Sequence, residues 1–261
     1  MMSAMATTLS GLLSAALPEL RYEPTPKRVT ARLGGDVVAT SDAAVLVWEP
    51  RRVVPVYAVP RGEVRADLLA PADDDPAAPP GHGPVFPDVP FAVHTTPGTA
   101  YDVRTAAGTV ARGAFVPDDA DLAGHVVLDD AAFTWAEEAE AVDGHPRDPF
   151  HRVDVRRGDR EVTVSVGGTV VARSTRPLVL FETNIPTRYY LPREDVLVDL
   201  APTATTSTCP YKGHASYWSA TVDGQRVDDL AWSYEQPYPD AVAIAGAVAF
   251  YPDKVRLEVS G

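Results

Sequence analysis

Apolar and polar residues alternate along much of this chain with the two-residue period of a strand that buries one face. Residues 29–33, Val-Thr-Ala-Arg-Leu, and residues 162–166, Val-Thr-Val-Ser-Val, are the clearest runs. Each leads into a glycine pair, Gly34-Gly35 or Gly167-Gly168, and then into a second β-branched run. That order predicts a two-residue hairpin, because glycine accepts the positive φ such turns require. Asp223-Gly224 repeats the signal after residues 217–222. Helical spacing is confined to short pieces. Leu9, Leu12, Leu13 and Leu17 predict a helix that ends near Pro18 and packs on the body as an N-terminal arm, residues 1–20. Residues 129–138 and 239–245 predict two more, the last stopped by Gly246. Residues 247–251 and 255–259 read as closing strands.

The pattern occurs twice. Residues 29–41 lie over residues 162–174 without a gap, and Trp48-Glu49 over Phe181-Glu182. After a one-residue slip Tyr57, Pro60-Arg61 and Asp67-Leu68 meet Tyr189, Pro192-Arg193 and Asp199-Leu200. Gly98-Thr99-Ala100 matches Gly213-His214-Ala215, and residues 129–135 match residues 227–234 approximately. Such self-similarity predicts a mostly β protein of two repeated small antiparallel units, barrel- or sandwich-like, with a few short helices. The first unit is expected over residues 21–150 and the second over 151–261, packed as a pseudo-two-fold pair. Residues 71–90 hold seven prolines and read as an irregular loop inserted into the first unit.

Composition narrows the classes. Proline, 25 of 261 residues, stands at about twice its usual frequency and opposes long helices. The 23 Lys and Arg against 36 Asp and Glu give a net charge of −13, whose field repels a phosphate backbone, so nucleic acid is not an expected partner. A single cysteine allows neither an intramolecular disulfide nor a thiolate-rich zinc site and suits a reducing compartment. No Lys or Arg precedes Arg21, and no apolar run is long enough to span a bilayer, so a cytoplasmic protein off the membrane is expected. Nothing in the sequence fixes the oligomeric state.

Residues 136–152 collect Glu137, Glu138, Asp143, His145, Asp148 and His151, donor types that suit a divalent metal. Their spacing fits no tight ligand pattern and Pro146 and Pro149 break any aligning helix, so the run reads as a linker and no metal is expected. The distinctive chemistry lies in residues 205–218. Cys209 attacks an electrophile only as a thiolate, which a nearby cation favours, and Lys212 and His214 stand close in sequence. A buried cysteine acting as a small hydrophobe is the other reading of the same residue. Thr208 offers a hydroxyl, while Arg188, Tyr190, Tyr217 and Trp232 would suit a flat or carbonyl-bearing small molecule whose polar end a cation holds. No phosphate-binding or dinucleotide glycine loop occurs, no nucleophile elbow, and no cofactor is expected.

Arg188-Tyr189-Tyr190-Leu191-Pro192, Asp195-Val196, residues 208–213 (Thr-Cys-Pro-Tyr-Lys-Gly), and Ala231-Trp232 with Tyr234 and Pro237 together resemble the family catalogued as domain of unknown function 427. The second copy matches almost throughout, and residues 144–155 look like the connector of two-copy members. The resemblance implies a small, mostly β domain without an established biochemical role. A nucleotidyltransferase label has been attached to the family, but the Gly-Ser loop and paired aspartates such enzymes need are missing. Counting back from Gly98 puts His94 opposite Cys209 and Pro97 opposite Lys212, so the first copy is expected to lack a matching chemical centre. The expected function is a small-metabolite enzyme or enzyme-like protein with one site, in the second copy, with Cys209 as nucleophile assisted by Lys212 and His214. The alternatives are a non-catalytic small-molecule-binding module and a structural or interaction module.

Overall fold

The glycine pairs act as the alternation requires. In the computed structural model, which describes residues 6–71 and 81–260, strands β2 (Val29–Leu33) and β3 (Asp36–Ser41) form one two-residue hairpin, and β13 (Glu161–Val166) and β14 (Thr169–Ser174) form another. Gly34, Gly167 and Gly168 take positive φ, Gly168 at 97°. A Cβ at Gly168 would meet no atom within 4 Å, so substitution there is opposed by backbone strain alone. Gly168→Val is therefore expected to cost about 1–2 kcal/mol and to lower the melting temperature by several degrees. An unchanged melting temperature would count against the left-handed turn.

The chain divides into two compact units, Met1–Asp148 and Pro149–Gly261. Both are mostly β and antiparallel, and both open the same way. In the first, β1 (Arg21–Pro24), β4 (Val45–Trp48), β5 (Val56–Pro60), β9 (His125–Leu128), β8 (Gly108–Pro117), β7 (Gly98–Thr105) and β6 (Asp67–Leu69) lie in that order in one long sheet. A smaller sheet orders β11 (Glu140–Val142), β10 (Thr134–Glu137), β2 and β3. In the second unit the corresponding order is β12 (Val153–Arg157), β15 (Leu178–Glu182), β16 (Ile185–Tyr190), then β20 (Val248–Phe250), β19 (Gln225–Ser233), β18 (Gly213–Val222) and β17 (Ala201–Cys209). Only the Leu191–Val248 bridge spans the step from β16 to β20. The small sheet is β14, β13 and β21 (Arg256–Ser260). Neither unit closes into a barrel. Each is sandwich-like, with Val29, Ala31 and Val38 facing Trp48, Tyr57 and Leu128 in one, and Val162, Val164 and Val171 facing Leu191, Leu230 and Phe250 in the other.

Each long sheet also buries its outer face. In the first unit Val45, Val56, Ala58, Phe115 and Val127 are covered by Phe91 and Leu122. In the second unit Leu180, Tyr190, Ala215, Trp232 and Tyr234 are covered by the 3₁₀ segment Pro239–Ile244, through Ala241 and Ile244. This outer face carries the candidate chemistry.

Three local expectations change. Residues 129–133 form a turn and residues 134–137 become β10 rather than continuing a helix, because Trp135 pairs with Ala31 across the small sheet. The equivalent of β10 is therefore β21, on β13, and residues 129–135 do not correspond to residues 227–234. The N-terminal helix, α1 (Leu9–Ala15), forms with Thr8 as its cap, but no residue in it is buried and Leu9 is 78% exposed, so its leucines do not pack on the body. Of the proline-rich insertion, residues 72–80 lie outside the described residues, and residues 81–90 are irregular. No helix among the described residues is long and apolar enough to cross a membrane.

Candidate functional site

Strand register decides which of the distinctive side chains meet. β17 and β18 join through the turn at residues 210–212, and Cys209 pairs with Gly213, Thr208 with His214, Ser207 with Ala215. Alternation then puts Cys209, Ser207, Ala215 and Tyr217 on one face and Thr208 and His214 on the other. The contacts agree. Ser207 Oγ lies 2.8 Å from the Tyr217 hydroxyl, which also accepts a 3.1 Å hydrogen bond from Tyr251. On the opposite face the Thr208 hydroxyl lies 3.1 Å from His214 Nδ1, and the His214 ring stands edge-on to Tyr238. His214 is exposed and turned away from the thiol, so closeness in sequence does not become closeness in space.

Cys209, a partly exposed free thiol, lies within electrostatic reach of the phenols of Tyr190 and Tyr234. Tyr190 on β16 accepts a 3.1 Å hydrogen bond from Trp232 Nε1, and Trp232 packs on Tyr251 with ring centroids 4.6 Å apart. Burial pushes the Tyr190 phenol well above its ordinary range, with the Trp232 hydrogen bond acting the other way. Burial does the same to Tyr234. Both phenols are thus neutral hydroxyl groups at physiological pH. Arg188 lies two residues before Tyr190 on the same face of β16 and within electrostatic reach of it. Its side chain is half-buried and makes no hydrogen bond or ion pair with any described residue.

Lys212 lies beneath this group, already engaged. Its ammonium donates to Glu182 Oε2, and His151 Nε2 lies 3.0 Å from Glu182 Oε1. The Glu182 and Lys212 side chains are only 3% and 11% exposed. Burial pushes the Glu182 carboxyl up, but the His151 hydrogen bond and the Lys212 charge outweigh it and hold the group below its ordinary value. His151 stacks on Tyr211 at 4.2 Å. An ammonium neutralised in this way has little field left to stabilise a thiolate. The connector residues do not gather: Glu137 bonds Lys27 and Tyr57, Glu138 takes the Arg28 amide, and His145 faces the Pro146 carbonyl. No cluster of three or more metal-ligating side chains occurs among the described residues.

The first unit fills the equivalent place with its own chain. A β-bulge fixes the correspondence: Arg112 and Asp229 both take positive φ, and their amides donate to Asp102 at 2.8 Å and to Ser219 at 3.0 Å. These marks set Gly98 level with Ala215, so that Thr95 falls opposite Lys212 and His94 opposite Tyr211, two positions from the alignment the sequence suggests. A polar centre is then present in both units, with different chemistry. Glu49, 1% exposed and equivalent to Glu182, lies 2.8 Å from His94 Nδ1 and accepts the Thr95 amide at 2.6 Å. The His94 ring stacks on Phe115 at 3.6 Å with Phe91 at its edge, and its Nε2 is buried without a hydrogen-bond partner among the described residues. Arg52 fastens the same loop by donating to the carbonyls of Val93 and Pro90 at 2.7 and 3.0 Å. At the positions of Arg188, Tyr190 and Tyr217 the first unit has Val56, Ala58 and Ala100, by strand register.

Sequence reasoning did not single out Glu182, Tyr234 or Tyr251, and preferred a linker to a metal site for the run that holds His151. One signal was available, since Trp48-Glu49 over Phe181-Glu182 repeats an acidic residue at the end of an apolar strand. No curated protein matches the sequence. A family model described as a domain of unknown function (DUF427) matches residues 21–80 and 154–261, well over half of the chain and parts of both units. With the same strand order in each unit and the family's match in both, this chain belongs to the DUF427 family.

Proposed function

We propose that the second unit binds a small, flat, carboxylate- or carbonyl-bearing organic molecule on the outer face of its long sheet. The observation that carries this reading is Arg188. A half-buried guanidinium loses much of its hydration, and elsewhere in this chain the buried Arg52 offsets that loss with acceptors, the carbonyls of Val93 and Pro90. Arg188 has none, and beside it stand neutral phenols that can donate to a carbonyl and the rings of Trp232 and Tyr251 that can cover a flat body. The first unit supports the reading by contrast, because it has Val56, Ala58 and Ala100 at the positions of Arg188, Tyr190 and Tyr217. Benzoate serves as the probe, followed by its effect on the NMR signals of Trp232 and Tyr251. Saturable binding is expected, weakened at least tenfold by Arg188→Met, which corresponds to about 1.4 kcal/mol. Benzoate that leaves those signals unmoved, or binds Arg188→Met equally well, removes the proposal.

A thiol reaction at Cys209 is the second reading, favoured by its partial exposure. Iodoacetamide is then expected to label Cys209 in the folded protein near neutral pH. His214→Asn is expected to leave the rate unchanged, because that ring lies on the other face of the sheet. Labelling that waits for unfolding in urea would eliminate the thiol step and leave reversible binding.

A further inference from the structure

Two hydroxyl protons of the candidate site meet no acceptor among the described residues. Tyr190 is 1% exposed, and its hydroxyl accepts from Trp232 Nε1 while donating to no described residue. Tyr234 is 5% exposed, and its hydroxyl makes no hydrogen bond with any described residue. A buried donor left without an acceptor costs free energy, and here two such donors stand on neighbouring rings with centroids 6.5 Å apart. Both share a face with the thiol. Tyr234 comes one residue after the Ser233–Ser216 pair and so lies level with Ala215, which is level with Ser207, two residues from Cys209. Tyr190 packs in the same cluster as Tyr234 and Ala215. Cys209 is within electrostatic reach of both phenols, and Arg188 is within reach of Tyr190. Lys212 is neutralised by Glu182 and His214 lies on the opposite face, so neither prepares the sulfur as a thiolate.

We infer that this site takes a carboxylate-bearing aldehyde and holds it as a reversible hemithioacetal on Cys209. The inference rests on the binding proposed above and names the class of its ligand. The Cys209 sulfur forms a bond to the aldehyde carbon, the carbon–oxygen double bond becomes single, and the thiol proton ends on that oxygen. The step needs no oxidant, reductant or leaving group. Each feature of the site selects one part of the ligand. The guanidinium of Arg188 suits a carboxylate. The two phenol protons suit a carbonyl oxygen, because neutral donors polarise it and stabilise the charge that grows there as sulfur adds. The way the thiol is kept favours an aldehyde over an ester or amide. Acyl transfer calls for an activated nucleophile and an acid that protonates the departing group, whereas addition to an aldehyde activates the electrophile and is complete once its oxygen holds the proton. The first unit has Ala58 in place of Tyr190, so this donor pair is absent there.

Carbon-13 NMR of 4-formylbenzoate and of glyoxylate, the smallest aldehyde acid, each labelled at the aldehyde carbon, tests this on the unaltered full chain kept reduced without added thiol. The aldehyde signal is expected to move to the range of a carbon bonded to sulfur and hydroxyl, and the single cysteine of the chain assigns such an adduct to Cys209. The folded chain is expected to hold the adduct at least about tenfold more tightly than glutathione, which offers a thiol without the donors. Tyr234→Phe, which keeps the ring and removes one donor, is expected to weaken the adduct about tenfold. Benzoate separates this inference from the binding on which it rests. Benzoate that moves the Trp232 and Tyr251 signals while neither aldehyde forms an adduct overturns the inference and leaves the binding in place. An adduct no tighter than that of glutathione, or one undiminished in Tyr234→Phe, overturns it as well.

Discussion

Replacing Glu182 with alanine is expected to destabilise the second unit by about 3–5 kcal/mol, the usual cost of stranding the partner of a buried ion pair. The carboxylate takes a hydrogen bond from Lys212 on one oxygen and faces His151 with the other, and its removal leaves the ammonium buried without its acceptor. Lys212→Met added to Glu182→Leu is expected to recover most of the loss, because an apolar pair of similar volume avoids the desolvation that the ions suffer. The pH dependence has a defined sign. The folded value of Glu182 lies below its unfolded value, so its contribution is present above the unfolded value and is lost as pH falls through the folded one. The alanine variant therefore converges on the parent in acid. Urea unfolding at neutral and acidic pH, with hydrogen exchange resolved to residues 178–190 and 213–233, measures both effects. Equal midpoints for parent and Glu182→Ala at neutral pH would show that the pair adds nothing.

Asp130→Asn is expected to act in the opposite direction, stabilising the first unit by about 1–2 kcal/mol at pH 7.5. Burial, reinforced by the neighbouring Asp129 charge, pushes the Asp130 carboxyl up to about 6 from its ordinary 3.8. Between those values the folded state holds more protons than the unfolded one, so stability declines as pH rises from 3.8 to about 6 and stays reduced above it. Asparagine does not ionise and removes the decline. The gain is expected to vanish at pH near 4, where the parent carboxyl is protonated in the folded state. Chemical unfolding at both pH values tests this, and a gain of equal size at each would assign the effect to packing instead of charge.

The sequence alone determined the elements whose signals are local. A β-branched run, two glycines and another β-branched run can do little but turn back on themselves, and residues 29–41 and 162–174 do so in both units. The closing strands β20 and β21 and the short segment Pro239–Ile244 were legible for the same reason, as alternation ending at turn residues and as a proline start with a glycine stop. Tertiary structure decided whatever depended on a partner far along the chain. A resemblance between residues 129–135 and 227–234 gave way to pairing, which put Trp135 on β2 and Trp232 on β18. Cys209 and His214 are five residues apart, yet a turn that pairs Cys209 with Gly213 sends them to opposite faces. The repeat displayed Glu49 and Glu182 but said nothing of their roles, because an acidic residue in sequence reads as a surface residue. Only folding brings up the imidazole, amide and ammonium that make burial of a carboxylate tolerable, and at Glu182 those partners come from about thirty residues away on either side.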